Sequence, residues 1–396
     1  TGFGQAVKDI SMKGIFMEKS LKKDIIINRL PVVIYFILIF AALMVIISAV
    51  APMSNHEPKT TDTYSDFSTG WLNCEESEAS LNHLSGTTVI HRTITAADCN
   101  KTLFFFAKTS NIKVFIDGVC QYRNNHFCSQ FFGKTPGALF VNVLIPAKSD
   151  GKLLEIEIEN PYKDDDSAKL DEMYIGDISD IIQFQQQKRF NSFCISFIIM
   201  VLGVVMLLLF IPLTRQKIVG IEFLNLGVTA FVSGLYLTTD GRYLQLVFGD
   251  AHIYHVIAET TLRLSILPFL IFLSQMYESY SKRISAILCV IGEIAFAGCF
   301  IGEITEIMDY HETLFLVHVV FAISMLFILV STIKGIVKAP KENIYHNIGC
   351  IVLSFMAMTD IIILWRGTGR ETSYFIRLGI LTVSYTHLRA HETSQD

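Results

Sequence analysis

Long uninterrupted apolar runs dominate the second half of the chain and occur once near its start. A helix needs about 20 residues to cross a hydrocarbon core of about 30 Å. Pro31–Val50 meets this length and predicts a membrane anchor over residues 30–52. Further apolar runs occupy Phe190–Leu213, Ile218–Leu237, Ile253–Tyr277, Ile284–Ile304, Leu314–Ile336 and Ile348–Trp365. A last run, Tyr374–Val383, is too short to span. Residues 190–383 are therefore predicted to form an all-α transmembrane bundle of seven helices, the last of them incomplete.

The segment between the anchor and the bundle, residues 53–189, has a different pattern. In KLLEIEIEN, Leu154, Ile156 and Ile158 alternate with glutamates, which is the period of a half-buried strand. NIKVFIDGVCQY predicts two strands joined by a tight turn at Asp117-Gly118. Several short strands without a helical period indicate an antiparallel β-sandwich.

The basic residues around the apolar runs predict the sidedness of the chain. Six of them precede the anchor (Lys8, Lys13, Lys19, Lys22, Lys23 and Arg29), so the N-terminal residues 1–29 are expected in the cytoplasm and the sandwich outside it. The later loops agree, because the cytoplasmic ones carry most of the Lys and Arg. A cleavable signal peptide is the competing interpretation, since Ala49-Val50-Ala51 resembles a cleavage site. The length of the apolar run and Pro52 after the cut favour an uncleaved anchor.

Both ends of the chain carry sequence that we interpret as foreign. The codons for Lys13-Gly14 must resemble a ribosome-binding site just before Met17, so residues 1–16 are interpreted as a translated leader. Residues 384–396 resemble translated sequencing adapter. On this hypothesis the native protein is interrupted inside its eighth span.

Composition supports a membrane protein and gives no reason to expect nucleic acid as a partner. Charged residues make up 17% of the chain, hydrophobic residues 51%, and the net charge is −5. Four of the eight cysteines lie in the polar segment: Cys74, Cys99, Cys120 and Cys128. They could form two disulfides, in any of three pairings, or remain free thiols.

Ionisable residues inside the predicted spans are candidates for function, because an unpaired charge in lipid costs several kcal/mol. Glu259 and Arg263 lie one helical turn apart and can neutralise each other. This pair either couples an outer event to helix movement or simply orients its helix. Glu293 and Asp360 lie deeper in their spans, where they either act in switching or form buried structural hydrogen bonds.

Other side chains in the polar segment are candidate ligand contacts. Aromatic residues on short strands either line a sugar or peptide site or belong to the core; they are Trp71, Tyr122, Phe127, Phe131 and Phe132. No metal site is predicted. Asp164–Asp166 lacks the glycine and the distal glutamate of a calcium loop, and His252 and His255 have no third ligand nearby.

Several phrases give the chain a resemblance to a known family. FFGKTPGALFVNVLIP, EIEIENPY, EMYIGDISDII and GRYLQLVFGD, together with the layout, resemble bacterial seven-transmembrane receptors with diverse intracellular signalling modules, in a clostridial branch. The resemblance implies a jelly-roll outer domain, an unknown small-molecule, carbohydrate or peptide signal, and a homodimer in the bacterial plasma membrane. It also implies a cytoplasmic GGDEF diguanylate cyclase domain after the spans. No GGDEF, HD-GYP or histidine-kinase motif occurs in these residues, so no catalytic residue and no cofactor are predicted in them.

The leading hypothesis is a signal-transducing receptor, with a histidine-kinase output as the nearest variant of the cyclase. A transporter or intramembrane enzyme could instead use Glu259, Glu293 and Asp360 as a proton or substrate path. The spans show no obvious internal repeat, which disfavours a transporter. An adhesive or structural envelope protein would not need so many spans.

Overall fold

The structure is a computed structural model that describes residues 63–124, 134, 137–162, 168–217, 219–276, 282–338, 344–365, 373 and 375–383. The predicted anchor, the leader and the adapter-like segment lie outside the described residues. The strands are β1 Tyr64–Asp66, β2 Leu72–Asn73, β3 Thr87–Thr93, β4 Thr102–Lys108, β5 Asn111–Ile116, β6 Val119–Arg123, β7 Ala138–Leu144, β8 Leu153–Glu159 and β9 Lys169–Gly176. The helices are α1 Ile178–Arg215, α2 Ile221–Asp240, α3 Tyr243–Phe248, α4 Ala251–Met276, α5 Lys282–Ile304, α6 Tyr310–Lys338 and α7 Ile344–Trp365. Residues 375–383 are also helical.

The strands form two antiparallel sheets that share one hydrophobic core. One sheet has the order β1-β9-β4-β7, and the other has the order β2-β3-β8-β5-β6. Leu154, Ile156 and Ile158 of β8 are fully buried, as the alternation of KLLEIEIEN requires. They pack in the same cluster as Leu103 and Phe105 of β4 in the facing sheet.

Strand β4 is buried on both faces. Its residues from Thr102 to Ala107 are all buried, which is the reason that TLFFFAK reads as a continuous apolar run. Phe104 points away from the sandwich core and stacks on Phe140 of β7, with ring centroids 5.3 Å apart. The guanidinium of Arg242, between α2 and α3, lies 4.0 Å from the ring centroid of Phe106. The outer face of this sheet therefore rests on the helices.

The sandwich leads directly into the first long helix. Asp177 follows β9 and caps α1, its carboxylate accepting a hydrogen bond from the backbone N–H of Ser179 at 2.8 Å. α1 begins twelve residues before the predicted span, because the polar segment QFQQQKR continues the helix beyond its apolar part. With 38 residues it is about 57 Å long and exceeds the thickness of a bilayer.

Within the described residues, five helices are long and apolar enough to cross a membrane: Ile178–Arg215, Ile221–Asp240, Ala251–Phe272, Arg283–Ile304 and Tyr310–Lys334. In α7 the corresponding apolar segment, Asn347–Ile363, is shorter. The chain is thus a multi-pass membrane protein with a separate β-domain, as the sequence predicts at this level.

Glycines let α1 and α2 approach closely. A Cβ added at Gly203 would lie 2.6 Å from Phe231 Cα, and one added at Gly234 would lie 2.5 Å from Met200 Cα. Both glycines are buried at the contact between the helices. Small residues are the usual means of bringing membrane helices together, since lipid provides no hydrophobic drive between them.

We expect Gly234→Val to separate α1 from α2 and to destabilise the protein by about 1–3 kcal/mol, measured by thermal unfolding in detergent. Gly298→Val is the matched control, because a Cβ at Gly298 on the exposed side of α5 meets no atom within 4 Å. Equal melting temperatures for the two variants would contradict the close α1–α2 contact.

Candidate functional site: the junction of sandwich and bundle

The predicted ion pair of α4 is formed and continues into α6. Arg263 Nη1 lies 2.7 Å from Glu259 Oε2. Its second terminal nitrogen, Nη2, donates to the carbonyl of Tyr310 at 2.7 Å and to Thr313 Oγ1 at 3.2 Å. The guanidinium carbon also lies 4.1 Å from the centroid of the Tyr310 ring. Arg263 therefore connects Glu259 to the first turn of α6.

Two residues of the β-domain hold the loop before α6. The phenol of Tyr162 donates a short hydrogen bond to Asp309 Oδ2, and the backbone N–H of Lys134 donates to the same oxygen at 2.8 Å. Lys134 Nζ also lies 2.6 Å from Glu312 Oε1. Burial raises the pKa of Asp309, but these hydrogen bonds outweigh it and hold the pKa below the ordinary value. Asp309 is thus a charged anchor point between the two parts of the chain.

A second ion pair joins β9 to α1. Glu172 Oε2 lies 2.6 Å from Arg189 Nη2, and Glu172 Oε1 lies 2.8 Å from Lys188 Nζ. Arg189 is buried, with its guanidinium 4.9 Å from the ring centroid of Phe140. Burial raises the pKa of Glu172, yet the two cations outweigh this and lower it below its ordinary value.

Between these contacts the sandwich and the bundle line a cavity of about 180 Å³. The sandwich contributes the end of β4 and the start of β7, with Lys108, Thr109, Gly137 and Ala138. The bundle contributes residues of α2, α4, α6, α7 and the segments next to them. Its polar lining residues are Tyr236, Asp240, Arg242, His255, Glu259, His311, His318, Asp360 and Ser373.

The sandwich side of this cavity carries a lysine in an unusual setting. Burial, and then the neighbouring Arg242 guanidinium, lower the pKa of Lys108 below its ordinary value. Gly137 has a φ of 78° and lies against His255 so closely that a Cβ would overlap the imidazole ring. The backbone of the β-domain thus packs directly against a side chain of α4.

Two predicted intramembrane carboxylates lie in different surroundings. Asp360 lines the cavity, and its oxygens accept the backbone N–H groups of Phe375 at 3.3 Å and Ile376 at 2.7 Å. It therefore caps the helical segment 375–383, which satisfies donors that would otherwise have no partner. Glu293 is exposed on the surface of α5 and does not line the cavity.

The aromatic candidates do not gather into a site among the described residues. Trp71 is 1% exposed in the sandwich core, and its indole N–H donates to the carbonyl of Phe67 at 2.8 Å. Tyr122 is partly buried and packs against the same core. Phe127, Phe131 and Phe132 lie outside the described residues.

The thiols of the β-domain are free where the structure describes them. Cys74, Cys99 and Cys120 form no disulfide, and Cys128 lies outside the described residues. Cys194, Cys289, Cys299 and Cys350 are buried in the helices, as expected of small apolar side chains. The described part of the chain contains no cluster of His, Cys, Asp and Glu suited to a metal ion.

Sequence reasoning found Glu259, Arg263 and Asp360 but missed the other walls of the cavity. Lys108 is the last residue of an otherwise apolar strand. A cation at that position could have indicated that the strand ends at a polar site. Asp309 belongs to a loop whose partners, Lys134 and Tyr162, lie about 150 to 175 positions earlier. No local spacing could have indicated that contact.

We expect Glu172→Gln to destabilise the junction by about 3 kcal/mol at neutral pH, because it leaves the buried Arg189 without its carboxylate. A lowered folded-state pKa means that the stabilisation is complete above the unfolded value and is lost as the pH falls through the lowered pKa. The difference from wild type, measured by thermal unfolding at several pH values, should therefore vanish in acid.

Glu157→Gln is the matched control, since its pair with Lys113 is more exposed and should contribute less than about 1 kcal/mol. A Glu172→Gln penalty that is as small as that of Glu157→Gln, or that persists in strong acid, would contradict this account of the junction.

Comparisons with known proteins leave the resemblance described above as a prediction. No family model, no curated protein and no solved structure matches the chain. The function therefore has to be argued from the residues of the junction itself.

Proposed function

We propose that the chain is the sensory part of a transmembrane receptor whose signal binds in the cavity between the sandwich and the bundle. One observation carries this proposal: the walls of the cavity come from both parts of the chain. A ligand in such a cavity contacts the two parts at once, so it favours whichever relative arrangement fits it best.

The route from the cavity into the bundle runs through Glu259. Its side chain lines the cavity, while its carboxylate holds Arg263, which in turn binds the first turn of α6. A change in the position of Glu259 therefore acts on α4 and α6 together. Both helices are long enough to carry that change across the membrane.

The finer architecture is part of the same proposal. The strand orders β1-β9-β4-β7 and β2-β3-β8-β5-β6, in which strands far apart in the chain lie side by side, support a jelly-roll-like sandwich. Adding α7 and residues 375–383 to the five long apolar helices would give seven spans. We propose the orientation expected from the basic residues, with the sandwich outside a bacterial plasma membrane. The resemblance makes a homodimer with a diguanylate cyclase output the first candidate.

A proton path is the less favoured alternative. It was expected to use Glu259, Glu293 and Asp360, but Glu293 is exposed on α5 while the other two line the cavity. Asp360 is, in addition, occupied in capping backbone N–H groups.

The experiment uses the 396-residue protein in lipid nanodiscs with a library of small polar metabolites. Compounds that raise the melting temperature are then tested by hydrogen–deuterium exchange. We expect a bound compound to slow exchange at the sandwich–α4 contact. Because Asn225 of α2 donates to Gln275 near the end of α4 at 2.9 Å, we also expect the compound to change exchange at residues 215–220, which link α1 to α2. In Glu259→Gln the compound should still bind, while the change at residues 215–220 falls at least severalfold.

Glu293→Gln is the matched control, because it removes the same charge from a span without touching the cavity. It should respond as wild type does. Binding in the cavity with no change at residues 215–220, or an undiminished change in Glu259→Gln, would overturn the proposed function.

A further inference from the structure

The charges that line the cavity are not equally matched. Glu259 is paired with Arg263 at 2.7 Å, and Asp360 accepts two backbone N–H groups. Lys108 differs from them. Among the described residues, none forms a hydrogen bond or an ion pair with its ammonium group.

The neighbours of Lys108 in the sheet do not neutralise it. In the ladders of β4 it lies opposite Ala138 of β7 and Lys169 of β9. Lys169 is itself paired, with its Nζ 2.8 Å from Asp171 Oδ2. Burial and the nearby Arg242 disfavour the charged form and outweigh the carboxylates of Asp240 and Glu259, which favour it, so the pKa of Lys108 is lowered. An anion placed beside the ammonium would reverse that penalty.

The size and the other walls of the cavity restrict the anion. A volume of about 180 Å³ accommodates roughly six to eight non-hydrogen atoms, judged from a cavity of about 150 Å³ that holds benzene. Leu262, Leu314 and Phe321 form an apolar wall, and Thr109 adds a polar group on the sandwich side. The site thus combines the ammonium of Lys108 and the guanidinium of Arg242 with space for a short carbon chain.

We propose that this cavity binds a small organic monocarboxylate whose carboxylate contacts Lys108 and whose carbon chain packs against the apolar wall. A single negative charge suits this site, because the carboxylates of Asp240 and Glu259 line the same cavity and would repel a more highly charged phosphate. This inference rests on the proposed function, because it names the class of signal that the receptor takes.

The experiment measures binding to the protein in nanodiscs by thermal stabilisation and by exchange at β4. The probes are acetate, propionate, butyrate, lactate and pyruvate, with butyramide, n-butylamine and inorganic phosphate as comparisons. We expect carboxylates to bind and to protect residues 102–109. Butyramide, which has the shape of butyrate without its charge, should bind at least tenfold more weakly.

Variants of Lys108 test the contact directly. A charge-assisted hydrogen bond contributes about 1.5–3 kcal/mol, so Lys108→Met should weaken carboxylate binding about ten- to hundredfold. Lys108→Arg should retain most of it. Lys152→Met is the matched control, because Lys152 is exposed and pairs with Asp117 at 3.8 Å on the same domain.

Each result decides between the two proposals. The carboxylate site is wrong if no carboxylate of the panel binds, if butyramide, n-butylamine or phosphate binds as well as butyrate, or if Lys108→Met binds carboxylates as wild type does. The comparison of ligands on wild type needs no variant to fold. Carboxylate binding at Lys108 with no change at residues 215–220 would leave the site intact and remove the receptor function. If instead a compound of another class binds in the cavity and changes exchange at residues 215–220, the receptor function stands and the carboxylate site is wrong.

Discussion

Charged groups that are buried where the β-domain rests on the membrane helices are costly without a partner, and this cost organises the structure. Removing a charge from water costs several kcal/mol unless its geometry is well satisfied. At this junction the partners come from the opposite part of the chain: Asp309 with Tyr162 and Lys134, and Glu172 with Lys188 and Arg189. The contacts that neutralise these charges therefore also fix the position of the sandwich on the bundle.

Elements that depend on local periodicity could be predicted from the sequence. The alternation around Ile156 placed β8, Asp117-Gly118 placed the turn before β6, and the apolar runs placed the long helices. The spacing of Glu259 and Arg263 also predicted their pairing, because residues four apart on a helix face each other. In each case, the deciding partner lies within a few residues along the chain.

Predictions failed to locate groups whose partners are distant or whose helix face was ambiguous. A span that is apolar on all sides does not reveal which side faces the bundle, so the sequence could not show that Glu293 is exposed. Asp360 bonds to backbone N–H groups beyond the end of its own helix, and Trp71 satisfies its indole inside the sandwich core. The run TLFFFAK could have indicated that a further layer packs on the outer face of its sheet. A strand that is apolar on both faces must be buried on both faces.

The position of Lys108 joins these constraints to the proposed function. β4 ends where its covered outer face meets the cavity, so its last side chain, Lys108, is part of the cavity lining. Glu259 lies across the same cavity and already shares its charge with Arg263. An anion beside Lys108 changes the field at Glu259, and that field acts on the bond from Arg263 to the first turn of α6. Because interactions between charges are stronger beside low-dielectric protein than in bulk water, the proposed ligand of a few atoms would bias helices that are long enough to cross the membrane.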